Sequence, residues 1–118
     1  MNNSPLLNKS LDFATEVVLF HEYYSKTRRD STIPKQLLRS GTSIGANINE
    51  ALYGNSKADF ISKLHIALKE TSESIYWILL LKRTHLVEYN YDSMLSLANE
   101  IRRMLISSLN TAKSSHPD

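Results

Sequence analysis

The stretch Gly-Thr-Ser-Ile-Gly at residues 41–45 matches G-x-S-x-G, the pattern that presents the nucleophilic serine of many hydrolases. In those enzymes a β-strand enters a strained turn, and the turn lifts the serine hydroxyl above a sheet. Ser43 would be the nucleophile under that interpretation. The alternative is that the small residues allow close packing between helices. The elements around the stretch decide between the two.

Other residue types that carry chemistry are absent or wrongly spaced. The chain has no cysteine, which excludes disulfides, thiolate metal sites and thiol nucleophiles. A di-iron bundle needs Glu-x-x-His on two of its helices, and no glutamate stands three residues before His21, His65 or His85. Gly41-x-x-x-Gly45 lacks the Lys-Ser/Thr that completes a phosphate-binding loop. We therefore expect no metal, no cofactor and no catalytic residue.

Apolar residues recur at helical spacing in four segments, and the few glycines and prolines separate these segments. Ser4-Pro5 is a typical helix start, and Ser56 is a typical N-cap residue. No segment alternates as a β-strand does. One domain of 118 residues is predicted, with helices over about 5–27, 33–53, 57–85 and 91–113. Short connections make successive helices antiparallel, so the expected fold is all-α, an up-down-up-down four-helix bundle.

The Gly-Thr-Ser-Ile-Gly stretch therefore falls inside the second helix. It continues an apolar stripe from Leu37 to Ile48 with no strand before it, and a hydroxyl inside a helix can bond the carbonyl of the preceding turn. Gly41 and Gly45 lie on one side of the helix, although each costs about 1 kcal/mol relative to alanine. We interpret them as packing points for a neighbouring backbone or a large side chain such as Phe20, Tyr76 or Trp77. Ser43 is not predicted to be a nucleophile, and the protein is not expected to be an enzyme.

Three segments of the chain resemble a bacterial protein family. Residues 36–51 read QLLRSGTSIGANINEA, residues 56–81 read SKADFISKLHIALKETSESIYWILLL, and residues 9–18 read KSLDFATEVV. They are similar to the four-helix-bundle proteins known as 23S rRNA intervening-sequence proteins, formerly S23 ribosomal proteins. Asn49, where alanine is expected, and Ala51, where glycine is common, are mild departures.

The resemblance covers nearly the whole chain and implies a homopentamer without known catalysis. Some family members are encoded inside rRNA genes. A related accessory protein of diversity-generating retroelements binds nucleic acid and a reverse transcriptase. The partners that the resemblance implies are therefore further copies of the chain, RNA or DNA, and a partner protein such as a reverse transcriptase.

Counting turns along antiparallel helices predicts a polar layer. The arginine of the second helix falls level with two glutamates of the third, and two adjacent arginines of the fourth helix fall level with the second of these glutamates. Arginine and carboxylate at one height indicate a device that fixes helix register or contacts another subunit. The predicted members are Arg39, Glu70, Glu73, Arg102 and Arg103.

Charge gathers at one end of the predicted bundle, formed by the ends of helices one and three and the starts of helices two and four. At this end, the basic pole, six cations outnumber Asp30, Glu88 and Asp92, a net charge of 6 − 3 = +3 against +2 for the chain. The predicted phosphate contacts are Lys26, Arg28, Arg29, Lys35, Lys82 and Arg83. Helix dipoles favour cations at C-termini but do not explain Lys35. A solvated face is the alternative.

Aromatic residues also stand near the basic pole, where stacking on bases would require them to be exposed. The four tyrosines nearest to it are Tyr23, Tyr24, Tyr89 and Tyr91. Whether these rings are packed or free is left open by the sequence. With few free aromatics, sequence preference in nucleic-acid binding should be slight.

Helices one and four carry more apolar surface than a monomeric bundle needs. In helix one, Leu11, Ala14 and Val18 are expected to face the bundle, while a second stripe turns outward. The predicted subunit-contact residues are Phe13, Val17, Phe20, Leu97, Ile101 and Met104. Exposed stripes of this size indicate association, and repeated head-to-tail contacts close a ring. The alternative is a wide hydrophobic core whose border residues remain partly exposed.

Composition narrows the functional classes further. The longest apolar run, WILLL, is far shorter than the roughly 20 residues of a membrane span. The first ten residues do not resemble a signal peptide, so a soluble cytoplasmic protein is expected. Two functions remain open. One is a non-enzymatic oligomer that binds RNA or structured nucleic acid through phosphates, and the other is a homo-oligomeric protein-interaction scaffold with no nucleic-acid binding.

Overall fold

The computed structural model describes residues 4–27 and 32–115, and these residues form four α-helices. The helices are Pro5–Ser25 (α1), Thr32–Leu52 (α2), Lys57–Thr84 (α3) and Asp92–Ser114 (α4). Within the described ranges, each helix packs against two others in the cyclic order α1, α2, α3, α4, and no strand occurs. The predicted all-α, antiparallel four-helix bundle is confirmed. Every helix end lies within two residues of its predicted position.

Local sequence explains where the helices begin and end. The Ser4 hydroxyl accepts a hydrogen bond from the Leu7 N–H at 3.1 Å, and the Ser56 hydroxyl accepts one from the Asp59 N–H at the same distance. Each serine thus satisfies one of the N–H groups that a helix start leaves unpaired. Helix α3 ends at His85, whose φ of 55° is left-handed and cannot continue the helix.

The core reverses the predicted orientation of α1. Phe13 and Phe20 are fully buried, whereas Leu11 and Val18 are 55% and 48% exposed. The prediction that the phenylalanine stripe faces outward is therefore wrong. The two stripes lie side by side on the helix, so spacing alone does not say which one points inward. Phenylalanine rings bury more apolar area than leucine or valine side chains, and this favours the observed choice.

Two of the other predicted subunit-contact residues need the same correction. Val17 of α1 and Ile101 of α4 are buried in the core, and Leu97 and Met104 of α4 are half-buried. Buried Val17 and Ile101 offer no surface to another molecule, whereas subunit contact through half-buried Leu97 and Met104 stays a prediction. The exposed apolar face of α1 is instead the stripe that was expected to face the bundle.

Helices α1 and α2 approach closely at the two glycines. A Cβ atom at Gly41 would lie 3.1 Å from Val17 Cγ2 and 3.3 Å from Phe13 Cε2, and one at Gly45 would lie 3.0 Å from the Ser10 hydroxyl. Real Cβ atoms rarely approach their neighbours so closely. The atoms nearest to the glycines belong to α1, and they are not those of Phe20, Tyr76 or Trp77, the neighbours suggested by the sequence.

Ser43 lies in the interior of α2, two residues beyond Gly41. Its backbone carbonyl accepts a hydrogen bond from Asn47 Nδ2 at 2.9 Å, and its side chain is half-buried. The strand and strained turn that expose a hydrolase serine do not occur in the described part of the chain.

Hydroxyl-bearing side chains lie inside the bundle. Four such residues are fully buried: Ser10, Ser40, Thr71 and Ser74. The Ser40 and Ser74 hydroxyls are 2.8 Å apart and join α2 to α3, while Thr71 donates to the Ala67 carbonyl of its own helix. Buried hydroxyls are tolerated because each finds a partner. In the sequence, these hydroxyl residues lie at the helical spacing of the core.

Candidate nucleic-acid interface

The helix ends that form the basic pole meet at one end of the bundle. Lys26 follows α1, Lys35 lies in the first turn of α2, and Lys82 and Arg83 lie in the last turn of α3. All four side chains are exposed. The other two predicted contacts, Arg28 and Arg29, lie outside the described residues, as does the carboxylate of Asp30.

The cations of the basic pole are only weakly neutralised. Lys82 Nζ lies 3.4 Å from Asp92 Oδ1, and both groups are exposed, so water screens the pair. Lys26, Lys35 and Arg83 form no ion pair with any residue in the described ranges. The Glu88 carboxylate is 3.3 Å from His85 Nδ1. Three cations at this end are therefore available to an anion from outside.

Several cations along the bundle are paired instead. Lys9 lies 3.4 Å from Glu100 and joins α1 to α4, and Lys63 lies 2.9 Å from Glu50 and joins α3 to α2. These contacts reduce the positive charge that the middle and the opposite end present to solvent. Exposed cations without an ion pair to a described residue also lie away from the pole, at Lys69, Arg103 and Lys113. The pole is therefore distinguished by the meeting of helix ends that carry cations.

The predicted polar layer is formed only in part, and at the surface. Arg39 Nη1 lies 3.2 Å from Glu70 Oε1, and Arg39 Nη2 also contacts Glu73. The Trp77 indole N–H donates to Glu73 Oε2 at 3.0 Å, and this hydrogen bond holds the pKa of the Glu73 carboxyl below its usual value. The Arg39 side chain is 49% exposed. This cluster therefore joins α2 to α3 along an outer edge.

The two arginines of α4 do not join that cluster. Arg102 Nη2 donates to Asn99 Oδ1 at 2.9 Å within α4, and Arg103 is exposed without an ion pair to any described residue. Their prediction as members of the layer is wrong. Counting turns gives the height of a residue along the bundle but not the face on which its side chain lies.

Five aromatic residues pack together at the basic pole, and sequence reasoning had named four of them without knowing their exposure. Phe20, Tyr24 and Tyr91 are buried. The Tyr91 hydroxyl donates to the Val87 carbonyl at 2.9 Å, and burial raises the pKa of Tyr91 to about 12. Tyr23 and Tyr89, in contrast, remain 47% and 38% exposed. Two aromatic rings therefore face solvent at the end of the bundle that also carries Lys26, Lys35 and Arg83.

The described ranges contain no group of three or more His, Cys, Asp or Glu side chains that could hold a metal ion. No helix among them is both long and apolar enough to cross a membrane.

The architecture defines an antiparallel four-helix-bundle protein with a charged pole. Residues 2–107 match the sequence model of the 23S rRNA-intervening sequence protein family, and the chain belongs to that family. This confirms the resemblance seen in the sequence, whereas the relation to diversity-generating retroelements stays a prediction.

A similar fold has been seen in a crystal. A protein with unknown function from the S23 ribosomal protein family of Bacteroides thetaiotaomicron VPI-5482 is 45% identical to this chain. The match covers 88% of this chain and 97% of the other, with a TM-score of 0.83. No curated protein matches the sequence.

Proposed function

We propose that this protein binds nucleic acid through backbone phosphates at the basic pole and catalyses no reaction. The observation that supports this most directly is the set of three exposed cations from three helices, Lys26, Lys35 and Arg83, with no ion pair among the described residues. Phosphates would supply the missing negative charge, with release of counterions as the driving force. RNA comes first among the ligands because the family name refers to rRNA.

We also propose that the protein acts as a homo-oligomer. A ring would repeat the basic pole around its axis and build a larger positive field than one chain carries, because the chain alone has a net charge of only +2. Five subunits is the number that the family resemblance implies.

One face suited to self-association lies on α1. Leu11, Val18 and Leu19 are exposed there and, with Ala14 and Thr15, line a shallow apolar groove. The exposed carboxylates on this outward surface are those of Asp12 and Glu22. The face is thus apolar with an acidic border.

A complementary face lies on α3. Its exposed apolar residues are Ile66, Tyr76 and Leu79. Lys69 is exposed beside them, while Glu70 and Glu73 are drawn toward α2 by Arg39. Because α1 and α3 do not pack against each other within the protomer, the α1 face of one copy can meet the α3 face of the next. Such a head-to-tail contact can close into a ring.

A salt titration tests nucleic-acid binding. We expect the wild-type protein to bind a labelled duplex near 50 mM salt, with affinity falling linearly on a log–log plot as salt rises. The double variant Lys26→Ala/Lys35→Ala should bind more weakly and show a slope shallower by about 1.8, since each lost phosphate contact on duplex DNA removes about 0.9. Fluorescence anisotropy at several salt concentrations measures both quantities.

The matched control is Arg103→Ala/Lys113→Ala, which removes the same charge from two exposed cations away from the pole. It should leave affinity and slope close to those of the wild type. Equal losses in both double variants would show that the attraction is diffuse and that the pole has no special role. Absence of binding even near 50 mM salt would favour the protein-interaction scaffold, which the exposed faces of α1 and α3 also support.

A mixing experiment tests the head-to-tail contact. Leu11→Lys/Val18→Lys should disable the α1 face, and Ile66→Lys/Leu79→Lys should disable the α3 face, so each variant alone should be a monomer. Mixed in equal amounts, they retain one good face of each kind and should form a dimer of one copy of each variant and nothing larger. Light scattering coupled to size-exclusion chromatography measures these masses. A monomeric wild type at micromolar concentration, or an oligomer formed by either variant alone, would contradict the arrangement.

A further inference from the structure

Tyr23 and Tyr89, which we call the tyrosine pair, are fixed in place while remaining open to solvent. Tyr23 lies in the last turn of α1, and Tyr89 lies in the connection between α3 and α4. Their ring centroids are 5.4 Å apart, and the Tyr89 ring packs edge-on against buried Phe20 at 4.8 Å. The Tyr23 hydroxyl donates to the Glu88 carbonyl at 3.4 Å. The ring contact with Phe20 and the hydrogen bond to Glu88 thus hold both tyrosines in place.

Packing of the bundle does not account for the exposed surface of the pair. Tyr24 and Tyr91 belong to the same aromatic cluster and are 2% and 4% exposed, so they already close the core at this end. The pair adds aromatic surface that solvent reaches. Exposed rings beside a positively charged surface are the combination that proteins use to bind single-stranded nucleic acid, because every base has a face that can stack.

The charges around the pair indicate how a nucleotide would lie. Lys26 follows Tyr23 by one turn, and its backbone N–H donates to the Tyr23 carbonyl at 3.3 Å. Its exposed ammonium group can therefore meet a phosphate close to the rings. Glu22 and Glu88 adjoin the pair in sequence and are exposed, and their charge disfavours a phosphate directly over the rings. An uncharged base over the pair, with its phosphate at Lys26, satisfies both conditions.

We propose that the tyrosine pair stacks on an unpaired nucleobase while Lys26 contacts the adjoining phosphate. The basic pole then prefers single-stranded or looped nucleic acid to a duplex. This inference rests on the proposed function and deepens it, since it names the part of the nucleic acid that the pole recognises. It also changes the expectation from sequence that stacking contributes little.

Three probes of equal length test the proposal: an oligoadenylate RNA strand of 12 nucleotides, an abasic strand with the same number of phosphates, and an RNA duplex of 12 base pairs. The wild type should bind the oligoadenylate about 10-fold more tightly than the abasic strand, in line with the energy of stacking one base on an aromatic side chain. The variant Tyr23→Leu/Tyr89→Leu should lose this difference, with unchanged affinity for the duplex and the same salt slope. Lys26→Ala should weaken binding to all three probes.

The control is Tyr53→Leu, which removes an exposed tyrosine that lies away from the basic pole and outside the α1 and α3 faces. It should bind like the wild type. Circular dichroism checks that each variant is folded. As a second measurement that needs no substitution, 5-bromouridine in a single strand should crosslink to Tyr23 or Tyr89 when irradiated with the wild-type protein.

Two outcomes would overturn the inference in different ways. If duplex and abasic strand bind but removal of the tyrosine pair has no effect, or affects all probes equally, stacking is refuted and the proposed function stands. If none of the three probes binds at low salt, the stacking inference and the proposed function are both refuted.

Discussion

Replacing Gly41 with leucine should lower the free energy of unfolding by about 3 kcal/mol, at the upper end of the cost of overpacking a core. The first added atom, Cβ, would already lie 3.1 Å from Val17 Cγ2 and 3.3 Å from the Phe13 ring. The remaining three carbons would force α1 away from α2. Because both neighbours are themselves buried, neither can swing into solvent. Urea denaturation followed by circular dichroism measures the change.

Two companion variants locate the cause of that loss. Gly45→Leu should cost less than Gly41→Leu, since the nearest side-chain atom is the small Ser10 hydroxyl. Ser43→Ala should change stability by less than about 0.5 kcal/mol, as is usual away from packed contacts. A Gly41→Leu protein as stable as the wild type would refute close packing at the glycines. An esterase activity abolished by Ser43→Ala would restore the hydrolase interpretation.

The helices could be predicted from the sequence because the signals are local. Apolar spacing identifies each segment, and serine caps with a proline at the first helical position mark its start. Tertiary structure leaves these signals unchanged, so the bounds agree within two residues. The location of the basic pole follows equally directly, because antiparallel order alone brings those helix ends together.

What could not be predicted is which way side chains face. The stripes through Leu11 and Phe13 lie next to each other on α1, and only the partner helices decide which is buried. The packing of those partner helices depends on small residues such as Gly41 and Ser40, which allow two helices to approach closely. The apolar pattern of the sequence does not indicate which helices approach each other at these residues. The exposure of Tyr23 and Tyr89 depends in the same way on contacts between distant segments. The sequence therefore predicted the candidate site from charge alone, without the exposed tyrosine rings at the same end of the bundle.

The orientation of α1 leads to the second large effect, which concerns Phe20. This residue is fully buried and packs against three tyrosines, with ring centroids 4.8 Å from Tyr89, 5.6 Å from Tyr91 and 6.3 Å from Tyr24. Phe20→Ala should lower the free energy of unfolding by about 3–5 kcal/mol, through the lost burial and the cavity left behind.

An exposed apolar residue of α4 provides the control for Phe20, because Ile106 is 44% exposed and lies outside the α1 and α3 faces. Ile106→Ala should cost less than about 0.5 kcal/mol. Protein concentration separates a core role of Phe20 from a subunit contact, since a residue that acts through association makes stability depend on concentration. We expect Phe20→Ala to lower the free energy of unfolding by the same amount at a micromolar protein concentration and at 100 times that concentration. A loss that disappears at the higher concentration would return the phenylalanine stripe to the subunit interface and overturn the orientation of α1.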